Sequence, residues 1–78
     1  MASQNVHTVP CKPWRGYRWV SKREGRNPER RFFHTQREAI RGGRQMAKKS
    51  KSEHFIHGRN GRIRARNSYG HDPFPPKG

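Results

Sequence analysis

The sequence contains no leucine, one cysteine and only five acidic residues in 78. Valine, isoleucine and phenylalanine together supply ten residues. So little apolar material, combined with a formal net charge of +14, is typical of disordered chains. The local patterns described below nevertheless predict a folded domain over most of the chain. We therefore expect a single small domain of low stability.

The single cysteine, Cys11, excludes an internal disulfide, so the composition does not indicate an oxidising compartment. The N-terminal stretch MASQNVHTVPCKPW lacks the apolar run of a signal peptide, and no later stretch has the length and hydrophobicity of a membrane span. We expect a cytoplasmic protein, associated with the nucleoid if it binds DNA.

Carboxylates are few and scattered along the sequence, whereas lysine and arginine number 19. The pattern contains no carboxylate pair, no nucleophile motif and no glycine-rich loop of the kind that cradles phosphates. These absences predict a protein that is not an enzyme and that has no cofactor. A chain with this charge is attracted to polyanions.

Three strands are predicted before the helix, over residues 5–9, 17–22 and 30–34. Pro10 is expected to end the first strand, and a charged turn over residues 23–30 precedes the third. The chain has little apolar material to bury, so four aromatic residues are expected in the core, namely Trp14, Trp19, Phe32 and Phe33.

A helix is predicted from Thr35 to about residue 50. Thr35 and Glu38 have the spacing of a capping box, in which each side chain accepts a hydrogen bond from the other residue's amide. Small and apolar residues recur on one face at spacings of three and four, at Ala39, Ile40, Gly43, Met46 and Ala47. Gly43 then indicates that the helix approaches a strand closely.

A hairpin is predicted for the segment SEHFIHGRNGRIRARN, with Asn60 and Gly61 as a type I′ turn. This register pairs Ile56 with Ala65 and Phe55 with Arg66. One face would be apolar and meet the helix, with Ile56, Gly58, Ile63 and Ala65. The other face would carry Phe55, His57, Arg59, Arg62, Arg64 and Arg66.

These elements predict an α+β fold, a small antiparallel sheet in the order β-β-β-α-β-β with one helix packed on one face. Residues 1–70 would form the domain, and residues 71–78 an extended, proline-rich tail. A loosely ordered tail is favoured over a docking motif, because chain ends are commonly mobile, and packing of Phe74 back on the domain is left open.

Three stretches resemble an uncharacterised family of short bacterial and phage proteins. VHTVP matches the family's H-V-V-P-like first strand, TQREAI matches its helix start, and HGRNGRIRARNSYGHDPFPPKG matches its C-terminal motif HGRDGRIR…SYGNDPxPPKG. The middle of this chain departs from the pattern, with PWRGYRW and a longer basic loop. The resemblance implies a shared fold and assigns no activity.

Basic residues form a narrow band along the predicted helix, at Arg37, Arg41, Arg44, Lys48 and Lys51. Glu38 is the one acidic residue near them, so the usual ion pairs one turn apart are missing. This pattern favours contact with phosphates over a merely solvated surface.

The arginine face of the hairpin is the expected primary reader of nucleic acid. It combines Arg59, Arg62, Arg64 and Arg66 with Phe55 and His57, and Tyr17 or Trp19 could add to it. Arginine binds phosphate or the guanine edge, and opposed like charges are destabilising unless an anion is present. We predict binding of nucleic acid, with DNA favoured over RNA, duplex favoured over single strand, and limited sequence specificity.

Other partners stay open at this point. A protein-interaction module that docks on an acidic protein is the alternative, and stacking of unpaired bases is another. Membrane binding is not expected, because the helix offers only Ile40 and Met46 as insertable bulk. Metal binding is not expected either, since His54 and His57 would point to opposite faces of a strand. A monomer and a dimer are equally compatible with the sequence.

Overall fold

A computed structural model describes residues 4–25 and 28–69 of the chain. The elements are β1 (Val6–Trp14), β2 (Tyr17–Arg23), β3 (Glu29–Phe33), α1 (Gln36–Ser50), β4 (Glu53–His57) and β5 (Ile63–Ser68). This order confirms the predicted α+β class. The predicted tail, residues 71–78, lies outside the described residues. Within the described ranges, α1 lacks the length and apolar content that a membrane span requires.

The five strands form one sheet in the order β3-β2-β1-β4-β5. Three of its four strand pairs are antiparallel, but β1 and β4 run parallel, with Val6 opposite His54 and Thr8 opposite Ile56. The sheet is therefore mixed rather than wholly antiparallel. The cause is the helical crossover, because α1 carries the chain from β3 over one face to the free edge of β1.

Strand β1 continues through Pro10 to Trp14, although the sequence predicted its end at Pro10. The parallel ladder with β4 stops at Thr8, while the ladder with β2 pairs Pro10 with Trp19. Pro10 thus lies beyond the last contact with β4, where the ladder requires no amide proton from it. An irregularity in register follows between Pro10 and Trp14.

The core lies between α1 and one face of the sheet. Val6, Met46 and Ala47 form its apolar centre, and Ala39 and Ile56 are also buried. The predicted helix face is confirmed apart from Ile40, which is half-buried. Three polar side chains share this core without any exposed surface, Thr8, Ser21 and His54.

Both helix ends are capped. Thr35 Oγ1 accepts a hydrogen bond from the amide of Glu38 at 3.2 Å, as predicted. The return half of the capping box differs, because Glu38 Oε1 accepts from the amide of His34 and not from that of Thr35. At the other end, Lys51 adopts φ 50° and donates its amide to helix carbonyls. The last residue of the basic band is therefore the C-cap.

The β4–β5 turn is not the predicted type I′ turn. The carbonyl of Gly58 accepts from the amide of Gly61 at 2.9 Å, and Gly61 has φ 83° whereas Asn60 has a negative φ. Three loop residues and a bulge replace the two-residue turn. Phe55–Arg66 and Ile56–Ala65 pair as predicted, but His57 pairs with Ile63 instead of Arg64.

Strand β5 lies beyond the edge of the helix, and all six of its residues are exposed. The predicted apolar face of the hairpin is therefore wrong for two of its members. Ile56 is buried under α1, but Ile63 is 58% exposed and Ala65 is exposed as well. A single helix is too narrow to cover all five strands of the sheet. It covers the centre, so the edge strand β5 remains exposed.

Candidate nucleic-acid interface

The basic band on α1, called the helix stripe below, is exposed throughout. It consists of Arg37, Arg41, Arg44, Lys48 and Lys51, each of them solvent-exposed. The buried side of the helix, marked by Ala39 and Met46, faces roughly away from this band. Lys48 lies near β5, since its Nζ atom is 5.9 Å from the ring centroid of Tyr69 just after that strand.

The hairpin arginines, Arg59, Arg62, Arg64 and Arg66, are also exposed. Arg64 does not share the predicted face away from the helix, because its Nη1 donates to Oε1 of Gln36 at 3.2 Å. Gln36 is the first residue of α1 and precedes Arg37. The one-residue shift between Ile56 and His57 accounts for this, since it changes the register of β5 beyond Ala65. Arg64 therefore meets the helix stripe at the start of α1, whereas Arg66 is paired with Phe55 and lies on the sheet face away from α1.

The ion pairs of the described residues lie away from the helix stripe. Glu24 pairs with His7, and Glu29 pairs with Arg23 and Arg31 on the opposite side of the sheet from β5. Glu38 is the one carboxylate on α1, and within residues 4–25 and 28–69 none of the ion pairs involves the helix stripe or a hairpin arginine. The positive charge along α1 and β5 thus exceeds the negative charge near it in this part of the chain.

Phe55 and His57, the two ring-bearing residues of the predicted site, are engaged in a cluster of their own. The ring of His7 stacks on Phe55 at a centroid distance of 5.0 Å, and His7 Nδ1 is 3.3 Å from His57 Nε2. His57 donates from Nδ1 to the carbonyl of Gly61 at 2.9 Å. Both side chains are half-buried and lie on the sheet face opposite α1, so they are separate from the helix stripe.

Two of the four aromatic residues that were predicted to lie in the core, Trp14 and Phe32, lie at the surface instead. Trp14 is 57% exposed and Phe32 is 42% exposed, whereas Trp19 is buried as predicted and Phe33 is half-buried. The missed signal is Arg15-Gly16. Both residues have positive φ, 54° and 88°, so the type I′ turn of this protein joins β1 to β2. Trp14 pairs with Tyr17 at the tip of that hairpin, beyond the reach of α1.

His54 and His57 lie on opposite faces of β4, as predicted. His54 has no exposed surface and is 2.7 Å from Thr8 Oγ1 through its Nε2. Burial lowers the pKa of His54 to about 4, with further lowering by the charges of Arg44 and His7. In the described part of the chain, no group of three histidine, cysteine or carboxylate side chains is arranged to hold a metal ion.

The sequence model of DUF2188, described as an uncharacterised protein conserved in bacteria, matches residues 6–69. The chain belongs to this family. The match runs from the first residue of β1 to the residue after β5, so it confirms the resemblance found in the sequence. No curated protein and no solved structure matches the chain. The argument for function in this DUF2188 member therefore starts from its own surface.

Proposed function

We propose that this protein is a small, non-catalytic nucleic-acid-binding protein that holds duplex DNA mainly through its phosphates, with limited sequence specificity. One observation carries the proposal. Arg64 joins the hairpin to the helix stripe through its contact with Gln36, and none of the ion pairs among the described residues involves the helix stripe or a hairpin arginine. Such a protein would associate with the nucleoid in the cytoplasm.

Uncompensated cations on a marginal domain need an anionic partner. Like charges held together destabilise the folded state, and the apolar core here is too small to offset much repulsion. Phosphates relieve that repulsion and release counterions from the nucleic acid. Because the phosphates belong to the sugar–phosphate backbone and not to the bases, binding of this kind carries little sequence information.

The spacing of the helix stripe suits a regular polyanion. From Arg37 to Lys48 the helix advances about 17 Å at 1.5 Å per residue. That length corresponds to about five base pairs of duplex at 3.4 Å each. The hairpin arginines extend the cationic surface beyond the start of α1, and arginine can also bind a guanine edge with two hydrogen bonds.

The dispersal of the carboxylates supports the non-catalytic part of the proposal. Glu24 is bound by His7, Glu29 by two arginines, and Glu38 by the amide of His34. A nuclease of the metal-dependent kind needs acidic ligands in one cluster. In the part of the chain that the structure describes, these three carboxylates serve separate partners.

The proposal is tested by titrating a labelled 20-base-pair duplex at several salt concentrations. If about six to eight phosphates are contacted, the log–log salt slope is about −5 to −7. The double variant Arg64→Ala/Arg66→Ala should weaken binding and make the slope shallower by about 2. The matched control, Lys12→Ala/Arg30→Ala, removes the same charge from exposed positions, and Arg30 lies on the sheet face opposite α1 and at the other edge from β5. It should retain most of the affinity and the slope.

Two results would refute the proposal. One is a failure to bind duplex in dilute buffer, and the other is binding that does not depend on salt. Capture of an acidic protein that survives nuclease treatment, without any duplex binding, would instead favour the protein-interaction alternative.

A further inference from the structure

Three aromatic side chains at the β2–β3 end of the sheet form a continuous surface, called the aromatic patch below. The ring centroids of Trp14 and Tyr17 are 6.2 Å apart with an interplanar angle of 27°. The ring of Phe32 lies 6.4 Å from Trp14 and 6.2 Å from Tyr17. These distances are typical of rings that pack on one another. The patch is therefore ordered rather than a set of independent side chains.

The aromatic patch is costly to leave in water. Trp14 is 57% and Phe32 is 42% exposed in a protein that has few apolar residues for its own core. Large exposed apolar groups that contact each other commonly mark a binding surface. Their exposure is consistent with a ligand that offers flat rings, because the exposed ring of Trp14 lies beside a two-residue turn at the tip of the β1–β2 hairpin.

Cations surround the aromatic patch. The guanidinium carbon of Arg15 lies 5.0 Å from the ring centroid of Trp14. Phe32 pairs with Val20 across β2 and β3, so strand alternation places Arg18, Lys22 and Arg30 on the same face, and all three are exposed. A cationic ligand would be repelled from this site. An anionic polymer that carries flat rings would satisfy both the aromatic side chains and the cations.

A cleft adjoins the aromatic patch at the edge of β3. Its volume is about 530 Å³, and its lining includes Tyr17, Phe32, His34 and Arg41. His34 stacks on Tyr17 at a centroid distance of 4.5 Å and is held by a hydrogen bond to the carbonyl of Gly16. This volume is within the usual range of small-molecule sites. The cleft thus offers an aromatic wall and one guanidinium beside the exposed rings, and its one carboxylate, Glu38, already accepts a hydrogen bond from the amide of His34.

We propose that the aromatic patch binds unpaired nucleobases of a single-stranded polynucleotide by stacking, while the neighbouring cations hold its phosphates. This inference rests on the proposed nucleic-acid function and names a further substrate class for it. Base stacking on aromatic side chains tolerates any sequence, because every base has a π face. The patch and β5 lie at opposite edges of the sheet, so the single-strand site excludes the hairpin arginines and adjoins the helix stripe only at Arg41, which lines the cleft.

The two tryptophans make the protein its own reporter. Trp14 is exposed in the aromatic patch, whereas Trp19 is 7% exposed in the core. A base stacked on Trp14 should quench its emission and leave that of Trp19 unchanged. The full chain is titrated at low salt with a thymidine decamer and with an abasic decamer, which has the same backbone charge but no bases. We expect quenching by the thymidine decamer and an affinity about tenfold or more above that of the abasic one.

Three variants separate stacking from charge. Trp14→Ala/Phe32→Ala should lower the affinity for the thymidine decamer about tenfold or more and leave duplex affinity within about twofold. Trp14→Phe keeps an aromatic ring and should retain most of the affinity for the thymidine decamer. The fluorescence of this variant comes from Trp19 and should not be quenched when the decamer binds. Ile63→Ala is the matched control, because it also removes an exposed apolar side chain, at β5, and it should bind both ligands normally.

The outcomes distinguish this inference from the proposed function. If duplex binding persists while the two decamers bind equally, or while the double alanine variant binds thymidine normally, the stacking inference is wrong and duplex binding stands. Equal quenching in Trp14→Phe would also overturn it. If neither duplex nor decamer binds in dilute buffer, the proposed function fails together with the inference.

Discussion

The Nε2 atom of His54 lies 2.7 Å from the Oγ1 atom of Thr8, and neither side chain has any exposed surface. Thr8 in turn contacts Ser21 Oγ at 2.8 Å, and Ser21 donates to the carbonyl of Ala39 at 2.7 Å. A carbonyl can only accept, so the three shorter contacts each receive a proton when His54 donates to Thr8 and Thr8 donates to Ser21, and the longer contact of Thr8 with the Ala39 carbonyl, at 3.4 Å, then has none. Nδ1 of His54 is buried and has no partner among the described residues, so a proton there would lack an acceptor. Burial therefore favours the neutral form of His54, with its proton on Nε2.

Stability should fall as the pH drops from about 6.5 towards 4. The pKa of His54 is lowered to about 4 in the folded protein from an ordinary value of 6.5. Between these values the unfolded chain binds a proton that the folded chain does not, so acid favours unfolding. The contribution is complete above pH 6.5 and decreases by about 3 kcal/mol as the pH reaches 4. Urea unfolding at several pH values measures it.

His54→Gln provides the control for this prediction. Glutamine can still donate a hydrogen bond to Thr8, but it does not titrate. The variant should be less stable than the wild type at pH 7 and should lose less stability between pH 6.5 and 4. An equally steep loss in the variant would assign the pH dependence to other groups.

Two adjacent helix glycines should respond differently to alanine. A methyl group at Gly43 would overlap His54 Nε2 and lie 2.6 Å from Thr8 Oγ1, both of which belong to the buried network. At Gly42 it would meet the end of the Phe33 ring, which is half-buried and can rotate away. Alanine gains about 1 kcal/mol of helix propensity at either position.

We expect Gly43→Ala to lower the free energy of unfolding by about 1–3 kcal/mol, because overlap in a packed core outweighs propensity. Gly42→Ala should cost less or be neutral. Thermal and urea unfolding of both variants test the order. A Gly43→Ala protein as stable as the Gly42→Ala protein would contradict the close packing of α1 on Thr8 and His54.

The helix and the order of the elements along the chain were predictable because their signals are local. The Thr35 cap, the small residues of α1 and the pairing of Phe55 with Arg66 depend on residues close in sequence. Gly43 even indicated the close approach of a strand. The sequence pattern does not explain Gly42, which the Phe33 ring of β3 approaches.

The rest was decided by tertiary position. Trp14 was assigned to the core on composition, but a turn at Arg15-Gly16 carries it past the end of the helix. Pro10 was predicted to end β1, but the strand continues. Its ladder with β4 has already stopped at Thr8, and Pro10 still pairs with Trp19 of β2. Arg64 joined the helix stripe because the register shifts by one residue near His57, and the sequence does not specify which turn forms around Asn60 and Gly61.

Substitutions in the two hairpin turns should have opposite effects. Arg15 has φ 54°, a conformation that costs most residues about 1 kcal/mol and that asparagine tolerates. Arg15→Asn should therefore raise the free energy of unfolding by about 0.5–1 kcal/mol.

Asn60 has a negative φ, and its Oδ1 accepts from the amide of Arg62 at 3.0 Å. Asn60→Gly should lower stability by about 1 kcal/mol, since it removes that bond and frees the unfolded chain. Urea unfolding measures both, and a stabilising Asn60→Gly would indicate a type I′ turn at residues 60 and 61.

The contact between Arg64 of the hairpin and Gln36 at the start of α1 can be tested with a substitution that keeps the shape of the side chain and changes its charge. Gln36→Glu places a carboxylate beside the Arg64 guanidinium, at the position where Oε1 now accepts its hydrogen bond. We expect the affinity for duplex DNA to fall about threefold to tenfold at low salt, because one phosphate-facing cation is neutralised. Pro13→Glu is the matched control, since it lowers the net charge equally at an exposed position of β1 that is outside the helix stripe and the hairpin arginines. Net charge alone would affect both variants equally, whereas a duplex seated across Arg64 is weakened more by Gln36→Glu. Equal losses in fluorescence-anisotropy titrations at matched salt would place the duplex elsewhere on the protein.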